Sequence, residues 1–391
     1  MKFKKISYSN PNFETLIIVF LFLYMGFIYF SIALSNIFLG IAVFIFLLGW
    51  ILKKIDLNFN KKNFLVFFLL IIPFLMTLLS VLHSEEFLNG LSSIRLRIPI
   101  LVISFIIIFL KLKNNHFING LRLYFILTLI STILTLFKAF SFIGEGIIFH
   151  PEYTFFITPI QHPYFGIYLI IAIISLFEYK LITNKHLKIT TILILVLGIL
   201  ISTSRIAYLL LFFMIIYYSF QIISSKKAIL FGIVFGVSLM VFVVSNQKIL
   251  TKFQMSFSYQ NSPRLKLWNN AIKVIHQSDQ KIFGIGIGDY YLNKKDPYYF
   301  RETSNGSYGY DPHSQLLDFF ISNGYLGLLL LTGYFLIQVI WISNKNRFAV
   351  FVFITISLFA LTESILNRQY GVQLYSIFLP LIFKENFKKL I

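Results

Sequence analysis

Apolar stretches long enough to cross a lipid bilayer recur along the whole chain, with short polar spacers between them. A hydropathy window of about 19 residues identifies twelve such stretches, and we predict that each forms a transmembrane helix. They lie near residues 14–32, 34–53, 63–82, 95–112, 120–140, 163–180, 188–203, 205–223, 227–245, 325–343, 347–363 and 371–385. The pattern predicts an all-α polytopic membrane protein with about twelve transmembrane helices.

The composition agrees with this pattern. Of the 391 residues, 58% are hydrophobic and only 13% are charged, and the mean hydropathy is +0.80. This balance excludes a soluble protein. Because the chain has no cysteine, it can form neither a disulfide nor a thiolate zinc site, and it has no cysteine nucleophile.

The formal net charge of +19 would suggest a nucleic-acid partner in a soluble protein. Here most lysines and arginines lie in spacers between apolar stretches, so we exclude nucleic acid and use these residues to predict topology. The positive-inside rule makes their spacers cytoplasmic, and with twelve helices both termini are cytoplasmic as well. The cytoplasmic spacers contain Lys53, Lys54, Lys61 and Lys62, then Lys111 and Lys113, then Lys180, Lys185 and Lys188, then Lys226 and Lys227, and then Lys345 and Arg347.

One spacer on the opposite, extracytoplasmic side is far longer than the others. It runs from Ser245 to about Asn323, is polar and rich in tyrosine, and contains a helix signal in residues 261–276. A long loop with its own structure usually carries function. We therefore divide the chain into transmembrane helices one to nine (1–245), an extracytoplasmic loop expected to be periplasmic and catalytic (246–324), and the last three helices with a cytoplasmic tail (325–391).

Arg205 follows Ser202, Thr203 and Ser204 and begins the eighth apolar stretch at its extracytoplasmic end. A helix N-terminus already carries partial positive charge and unpaired N–H groups, so a cation there is unfavourable unless an anion also binds. The position is therefore typical of a phosphate site. The alternative is an arginine whose side chain extends to lipid headgroups at the membrane edge.

Arg264 stands in a similar position in the long loop. Ser262 can cap a helix, Pro263 suits its first position and Arg264 follows. The predicted helix is amphipathic and could lie on the membrane surface, which is the alternative to an anion-binding role for its N-terminus. Its apolar positions are Leu265, Trp268, Ile272 and Ile275.

His313 lies just before the apolar stretch that leads into the tenth predicted helix. Asp311 and Asp318 are close enough in sequence to orient it. An imidazole with a pKa of about 6.5 can take a proton from a hydroxyl at neutral pH. His313 is therefore a candidate general base, and the alternative is a solvated or hydrogen-bonded bystander.

Other extracytoplasmic residues carry weaker signals. The remaining histidines, among them His83 and His162, lack the spacing of a metal-binding pair, so we predict no metal site. Arg95 and Arg97 stand two residues apart, which on a helix turns their side chains about 200° from each other, so at most one faces a central cavity. Arg95, Arg97 and His162 are candidate substrate-binding residues.

The run Gly284-Ile-Gly-Ile-Gly-Asp289 is only superficially similar to a phosphate-binding loop. It follows no strand of a βαβ unit and does not match the GxGxxG pattern. We predict a flexible turn that lets the loop backbone approach the membrane.

These features occur in a recognisable order along the chain. A Ser-Thr-Ser-Arg turn (202–205) opens a late helix, and Arg264-x-x-x-Trp268 lies in the long loop. A Gly-x-Gly-x-Gly-Asp-Tyr stretch (284–290) and then His313 follow, with Asn-Gly-Tyr-Leu-Gly (323–327) after the histidine. In this order the chain resembles the O-antigen ligase and polymerase superfamily of bacterial surface-polysaccharide enzymes.

The resemblance implies a GT-C-like, metal-independent inverting glycosyltransferase that uses no cofactor. Such an enzyme moves a glycan from undecaprenyl pyrophosphate to an acceptor at the outer face of the inner membrane. By motif, the family's functional histidine and extracytoplasmic arginines correspond to His313, Arg205 and Arg264. His313 would take the proton from the acceptor hydroxyl, and the arginines would stabilise the charge that grows on pyrophosphate in the transition state.

Several acceptors fit the resemblance. A ligase transfers the glycan to lipid A core and a polymerase transfers it to another lipid-linked repeat unit; the single loop histidine with flanking arginines favours the ligase. Transfer to a protein hydroxyl is a further variant. A transporter is the alternative from another class, but it would be expected to have mid-membrane charges and a two-fold repeat. Lys138, near a helix end, is the residue closest to a mid-membrane charge, and the sequence has no two-fold repeat.

Overall fold

The computed structural model describes residues 12–142, 154–222, 225–247, 249–251, 254, 263–289, 300–303, 306–309, 311–343 and 345–384. In chain order its helices and strands are α1 (Phe13–Gly26), α2 (Ile32–Ile51), α3 (Lys61–Leu82), α4 (Phe87–Phe109), α5 (Asn114–Phe140), α6 (Thr154–Ile157), α7 (His162–Glu178), α8 (Lys185–Ser202), α9 (Arg205–Ile222), α10 (Ser225–Ser245), α11 (Pro263–Gln277), β1 (Phe300–Thr303), β2 (Gly306–Gly309), α12 (Gln315–Ile342), α13 (Arg347–Thr362) and α14 (Gln369–Phe383). Two short 3-10 helices, Phe27–Tyr29 and Ile365–Asn367, follow α1 and α13.

The predicted helical character is confirmed, because a helix occupies each of the predicted apolar stretches. Within the described residues, six helices are long and apolar enough to cross a membrane: α2, α3, α4, α5, α8 and α12. Four others, α1 with its 3-10 extension, α7, α9 and α13, are apolar but shorter. The count of twelve membrane crossings and the GT-C-like architecture therefore stay predictions.

The apolar helices share a contiguous hydrophobic core. α4 packs between α3 and α14, α1 packs against α2 and α5, and α7 contacts α8, α9 and α13. α7 and α14 are buried continuously over residues 164–176 and 371–383. These two helices are the most enclosed of the bundle, and both begin close to the site described below.

α12 is broken at Gly324, whose φ of +63° and ψ of −156° lie outside the helical region. After the break, the N–H groups of Tyr325 and Leu326 donate to the carbonyl oxygens of Lys281 and Ile282 at 3.0 and 3.1 Å. The chain before the glycine run thus supplies acceptors for N–H groups that a helix start leaves unpaired. The predicted tenth helix, from residue 325, coincides with the part of α12 after the break.

The glycine run crosses this break at close range. Gly284 has a φ of +80°, and a Cβ atom there would lie 2.5 Å from the backbone nitrogen of Gly324. The end of the run is attached to the loop before α4, because the Asp289 carboxylate accepts hydrogen bonds from the backbone N–H groups of Glu85 and Glu86, at 2.8 Å each. The run thus makes close backbone contacts with the broken helix and with this loop, and its predicted approach to the membrane stays a prediction.

α11 confirms the helix signal from Pro263 onwards, and the predicted cap Ser262 lies outside the described residues. The apolar side of α11 packs on the first part of α12, where Ala271 and Ile275 are buried with Phe320 and Ile321. These residues therefore pack against protein, whereas Ile272, another of the predicted apolar positions, is 39% exposed, and the membrane-surface alternative stays a prediction. β1 and β2, which the sequence analysis did not predict, form an antiparallel hairpin between α11 and α12.

Candidate active site

His313 occupies the short loop that leads into α12. Its backbone has a φ of +49°, in the left-handed region that residues other than glycine rarely adopt. Asp311 stabilises this conformation, because its Oδ1 accepts a 2.9 Å hydrogen bond from the His313 backbone N–H. Strained backbone of this kind clusters at functional sites. Here it sets the direction in which the imidazole projects from the backbone.

The His313 imidazole contacts the carboxylate of Glu363, the residue that follows α13. His313 Nδ1 lies 2.9 Å from Glu363 Oε2 and 3.6 Å from Asp311 Oδ1. The His313 side chain is 32% exposed and that of Glu363 is 9% exposed, so the imidazole is the accessible member of the pair. When Nδ1 donates to the carboxylate, Nε2 carries the lone pair that can accept a proton from a substrate.

The pKa of the His313 imidazole is shifted by its neighbours. Burial lowers this pKa, but the hydrogen bond with Glu363 and the negative charges of Glu363 and Asp311 raise it by more, against an opposing effect of Arg264. The net result is a pKa above the ordinary value of 6.5. The carboxylate thus makes the imidazole a stronger base and stabilises the imidazolium that forms on proton uptake.

α11 brings Arg264 to the same carboxylate. The Arg264 guanidinium forms an ion pair with Oε1 of Glu363, the oxygen that is not bonded to His313. One turn further along the same face of α11, the Trp268 indole N–H donates to the Pro312 carbonyl oxygen at 2.8 Å. The Arg264-x-x-x-Trp268 spacing therefore docks α11 onto the loop that carries His313.

Arg205 begins α9, directly after the tight turn that ends α8. Ser204 caps the helix, because its Oγ accepts a 3.4 Å hydrogen bond from the Ala207 N–H. The charges of Arg264 and Glu363 act on the Arg205 guanidinium. Arg264 and His313, which the sequence identified separately, therefore meet at one carboxylate, and Arg205 lies within range of its charge.

Arg368 adds a further guanidinium to this group. It directly precedes α14, its Nη2 lies 3.5 Å from Asp311 Oδ2, and its side chain is 46% exposed. Arg368 therefore reaches the carboxylate that also caps the His313 backbone. From here on, the His313 cluster denotes six residues: Arg205, Arg264, Asp311, His313, Glu363 and Arg368.

Glu363 and Arg368 were not predicted from the sequence. Glu363 did carry a signal, because it is the only acidic residue between Asp318 and Glu385 and stands at the end of an apolar stretch. Arg368 carried none that distinguishes it from the other arginines. Both residues lie after the last predicted motif, so their proximity to His313 depends on helix packing.

Asp318 does not orient His313, contrary to the prediction. Its Oδ2 lies 3.4 Å from Nη2 of Arg97, and both side chains are fully buried. The orienting carboxylates are those of Glu363 and Asp311.

The remaining candidates for substrate binding are placed differently from one another. Arg97 is enclosed inside the protein with Asp318, whereas Arg95 is exposed, as their spacing on a helix requires.

His162 begins α7 and is partly buried. Two residues later, the buried Tyr164 ring packs against the ring of Tyr370, two residues after Arg368, with ring centres 5.6 Å apart, so the start of α7 borders the His313 cluster.

The His313 cluster has the chemistry to bind an anion next to a base. It contains three guanidinium groups against two carboxylates, and hence a net positive charge even with a neutral imidazole. Guanidinium groups match the oxygens of phosphates in charge and geometry. The accessible imidazole beside them can accept a proton.

A family model described as O-antigen ligase matches residues 190–332. The matched part includes Arg205, Arg264 and His313 and ends before Glu363 and Arg368. None of the curated proteins matches the chain. Members of this family are glycosyltransferase-like membrane enzymes, and the family together with the apolar helices indicates a multi-pass inner-membrane protein. The match over residues 190–332 supports the resemblance to the O-antigen ligase and polymerase superfamily.

Proposed function

We propose that this protein is an O-antigen ligase-like glycosyltransferase. It moves a glycan from undecaprenyl pyrophosphate to lipid A core at the outer face of the inner membrane, with its site in the periplasm and both termini in the cytoplasm. The observation that carries the proposal is the use of both Glu363 carboxylate oxygens, one by His313 and one by Arg264. A single side chain thereby joins a general base to an anion-binding group.

In the proposed reaction, the acceptor hydroxyl oxygen attacks the anomeric carbon of the donor glycan while its proton passes to Nε2 of His313. The bond between the anomeric carbon and the pyrophosphate oxygen breaks, and undecaprenyl pyrophosphate leaves. Glu363 stabilises the imidazolium through Nδ1. Because the displacement is direct, the anomeric configuration is inverted.

Arg205 and Arg264 bind the leaving group in this mechanism. Pyrophosphate gains negative charge as its bond to the sugar breaks, and guanidinium groups held in place stabilise that charge. Both arginines stand in the first turn of a helix, where backbone N–H groups also favour an anion. We propose a metal-independent reaction because these groups supply the positive charge that the leaving group requires.

A cavity among the membrane helices offers a place for the lipid tail of the donor. It has a volume of about 330 Å³, is mainly apolar, and is lined by residues of α7, α8, α9 and α10. Leu211 of α9 lines the cavity and follows Arg205 by six residues, which is about 9 Å along a helix. We propose that the first isoprene units of the tail occupy this cavity while the pyrophosphate is bound at Arg205.

Filling this cavity is expected to weaken binding of long-tailed donors selectively. Leu193 lines the cavity from α8, and Leu193→Trp should raise the donor KM about tenfold for an undecaprenyl tail, the loss expected when a few CH₂ groups are displaced. A donor with a two-isoprene tail should be little affected. Leu197→Trp, one turn along the same helix at an exposed position outside the cavity lining, is the matched control. An equal KM change for both donors would contradict the assignment.

The alternative acceptor is a second lipid-linked repeat unit, which would make the enzyme a polymerase with the same catalytic groups. The test is gel profiling of lipopolysaccharide from a strain without the protein, with lipid-linked glycan extracted in parallel. A ligase predicts polymer retained on the undecaprenyl carrier and bare lipid A core. Accumulation of single repeat units would identify a polymerase, and an unchanged glycan profile would contradict both.

A further inference from the structure

Arg97 is a fully buried cation in the first half of α4. Its partner Asp318 is equally buried, with Arg97 Nη2 3.4 Å from Asp318 Oδ2. Removing two charges from water is costly, and apolar side chains of similar volume often stabilise a fold as well or better. A pair of this kind therefore calls for an explanation other than stability.

The Arg97 guanidinium joins several segments at once. Its Nε donates to the Leu366 carbonyl oxygen at 3.2 Å, and its terminal nitrogens donate to the side chains of Thr77 and Asn367. Its Cζ lies over the Phe319 ring, 5.3 Å from the ring centre. The contacts thus connect α3 and α4 to the start of α12 and to the 3-10 helix after α13.

The two segments that Arg97 connects are those that carry His313 and Glu363. The backbone N–H of Ser314, next to His313, donates to the hydroxyl of Ser364, next to Glu363, at 3.2 Å. The next residue, the first of α12, adds a second contact, because Gln315 Oε1 accepts a hydrogen bond from the Leu366 N–H at 2.8 Å.

Asp318 closes the same network from α12. Its Oδ1 accepts from the Asn367 side-chain amide at 2.7 Å, and its Oδ2 accepts from the Gln315 amide at 2.8 Å. Arg97 therefore contacts both Asp318 and Asn367, the two residues whose hydrogen bond joins α12 to the 3-10 helix after α13.

We infer that Arg97 is a positioning residue that fixes the segment carrying Glu363 against the segment carrying His313. Lysine could keep the ion pair with Asp318, but only the guanidinium has enough directed N–H groups to reach Asp318, Leu366 and Asn367 together. This role goes beyond the proposed function, and it rests on that function only for its effect on turnover.

The test compares Arg97→Met/Asp318→Leu, which leaves no unpaired buried charge, with Arg97→Lys. Arg122→Met, at an exposed position of α5, is the control. Folding is checked by the melting temperature and by gel filtration. Turnover, donor KM and the pH dependence of His313 modification by diethylpyrocarbonate are then measured, the last with peptide-level mass spectrometry so that only His313 is read.

We expect turnover to fall about 10- to 100-fold in the double variant, as for a catalytic group displaced by about 1 Å, with a donor KM within threefold of wild type. The modification midpoint of His313 should move to lower pH. His313 then loses its contact with Glu363, which raises the pKa of the imidazole. Burial and Arg264 still lower that pKa, and the Asp311 carboxylate, which is paired with Arg368, still raises it. Arg97→Lys should show the same changes to a smaller extent.

The inference would be overturned if the folded double variant had wild-type turnover and a wild-type modification midpoint. If the double variant does not fold, the same result in folded Arg97→Lys protein would overturn it. The midpoint also separates this inference from the proposed function. If His313 proves dispensable for transfer but its midpoint still moves in these variants, the positioning role of Arg97 stands and the proposed general base does not.

Discussion

His313→Ala is expected to lower the turnover number by about 10²- to 10⁴-fold, the range typical for loss of a general base. The acceptor hydroxyl would lose the group that accepts its proton in the proposed mechanism, which is Nε2 of His313. Donor binding should change little, because the guanidinium groups of Arg205 and Arg264 remain. The measurement is glycan transfer by the purified protein, with kcat and donor KM determined separately.

The control for this prediction is His186→Ala, at an exposed position in the first turn of α8. It removes an imidazole without touching the His313 cluster and should leave both constants unchanged. If folded His313→Ala protein transfers glycan within threefold of the wild-type rate, His313 is not the base.

Glu363→Gln is expected to lower turnover about 10- to 100-fold, as for other groups that orient a functional histidine. It should also move the acid limb of the pH–rate profile to lower pH. The active base is the neutral imidazole, so activity is lost as pH falls through its pKa. In the wild type, Glu363 helps to raise that pKa above 6.5. Without the carboxylate charge, burial and the positive charge of Arg264 still lower it, so protonation requires a lower pH.

This pH shift distinguishes an orienting carboxylate from one that only supports the fold. Asp56→Asn is the control, because Asp56 is an exposed carboxylate that pairs with Lys111 outside the cluster. Since Glu363 also pairs with Arg264, donor KM is measured in the same experiments. An acid limb at the wild-type pH in Glu363→Gln would mean that Glu363 does not act on His313.

The helices could be predicted from the sequence because their signal is local. Apolar stretches, the Pro-Arg start of α11 and the turn before Arg205 each depend on a few neighbouring residues. Arg205, Arg264 and His313 could likewise each be identified as a candidate from its own neighbours in the sequence. That they lie close together could not be predicted, because it depends on how α9, α11 and α12 pack.

Glu363 shows why the rest of the cluster escaped prediction. It lies 50 residues after His313 and 99 residues after Arg264, so no local spacing relates it to either. Asp318, which is closer in sequence, was the reasonable candidate, but α12 begins between it and His313 and directs it towards Arg97. Helical spacing required Arg95 and Arg97 to point apart, whereas only the packing of α4 decides which of them is buried.

The proposed transfer can be measured with purified protein, undecaprenyl pyrophosphate-linked glycan and lipid A core. Release of undecaprenyl pyrophosphate and formation of the glycan–core bond are followed together. We predict that wild-type protein forms both products in equal amounts with inversion at the anomeric carbon, and that His313→Ala and Glu363→Gln do so far more slowly while still binding the donor. Transfer at wild-type rates by both folded variants would contradict the account.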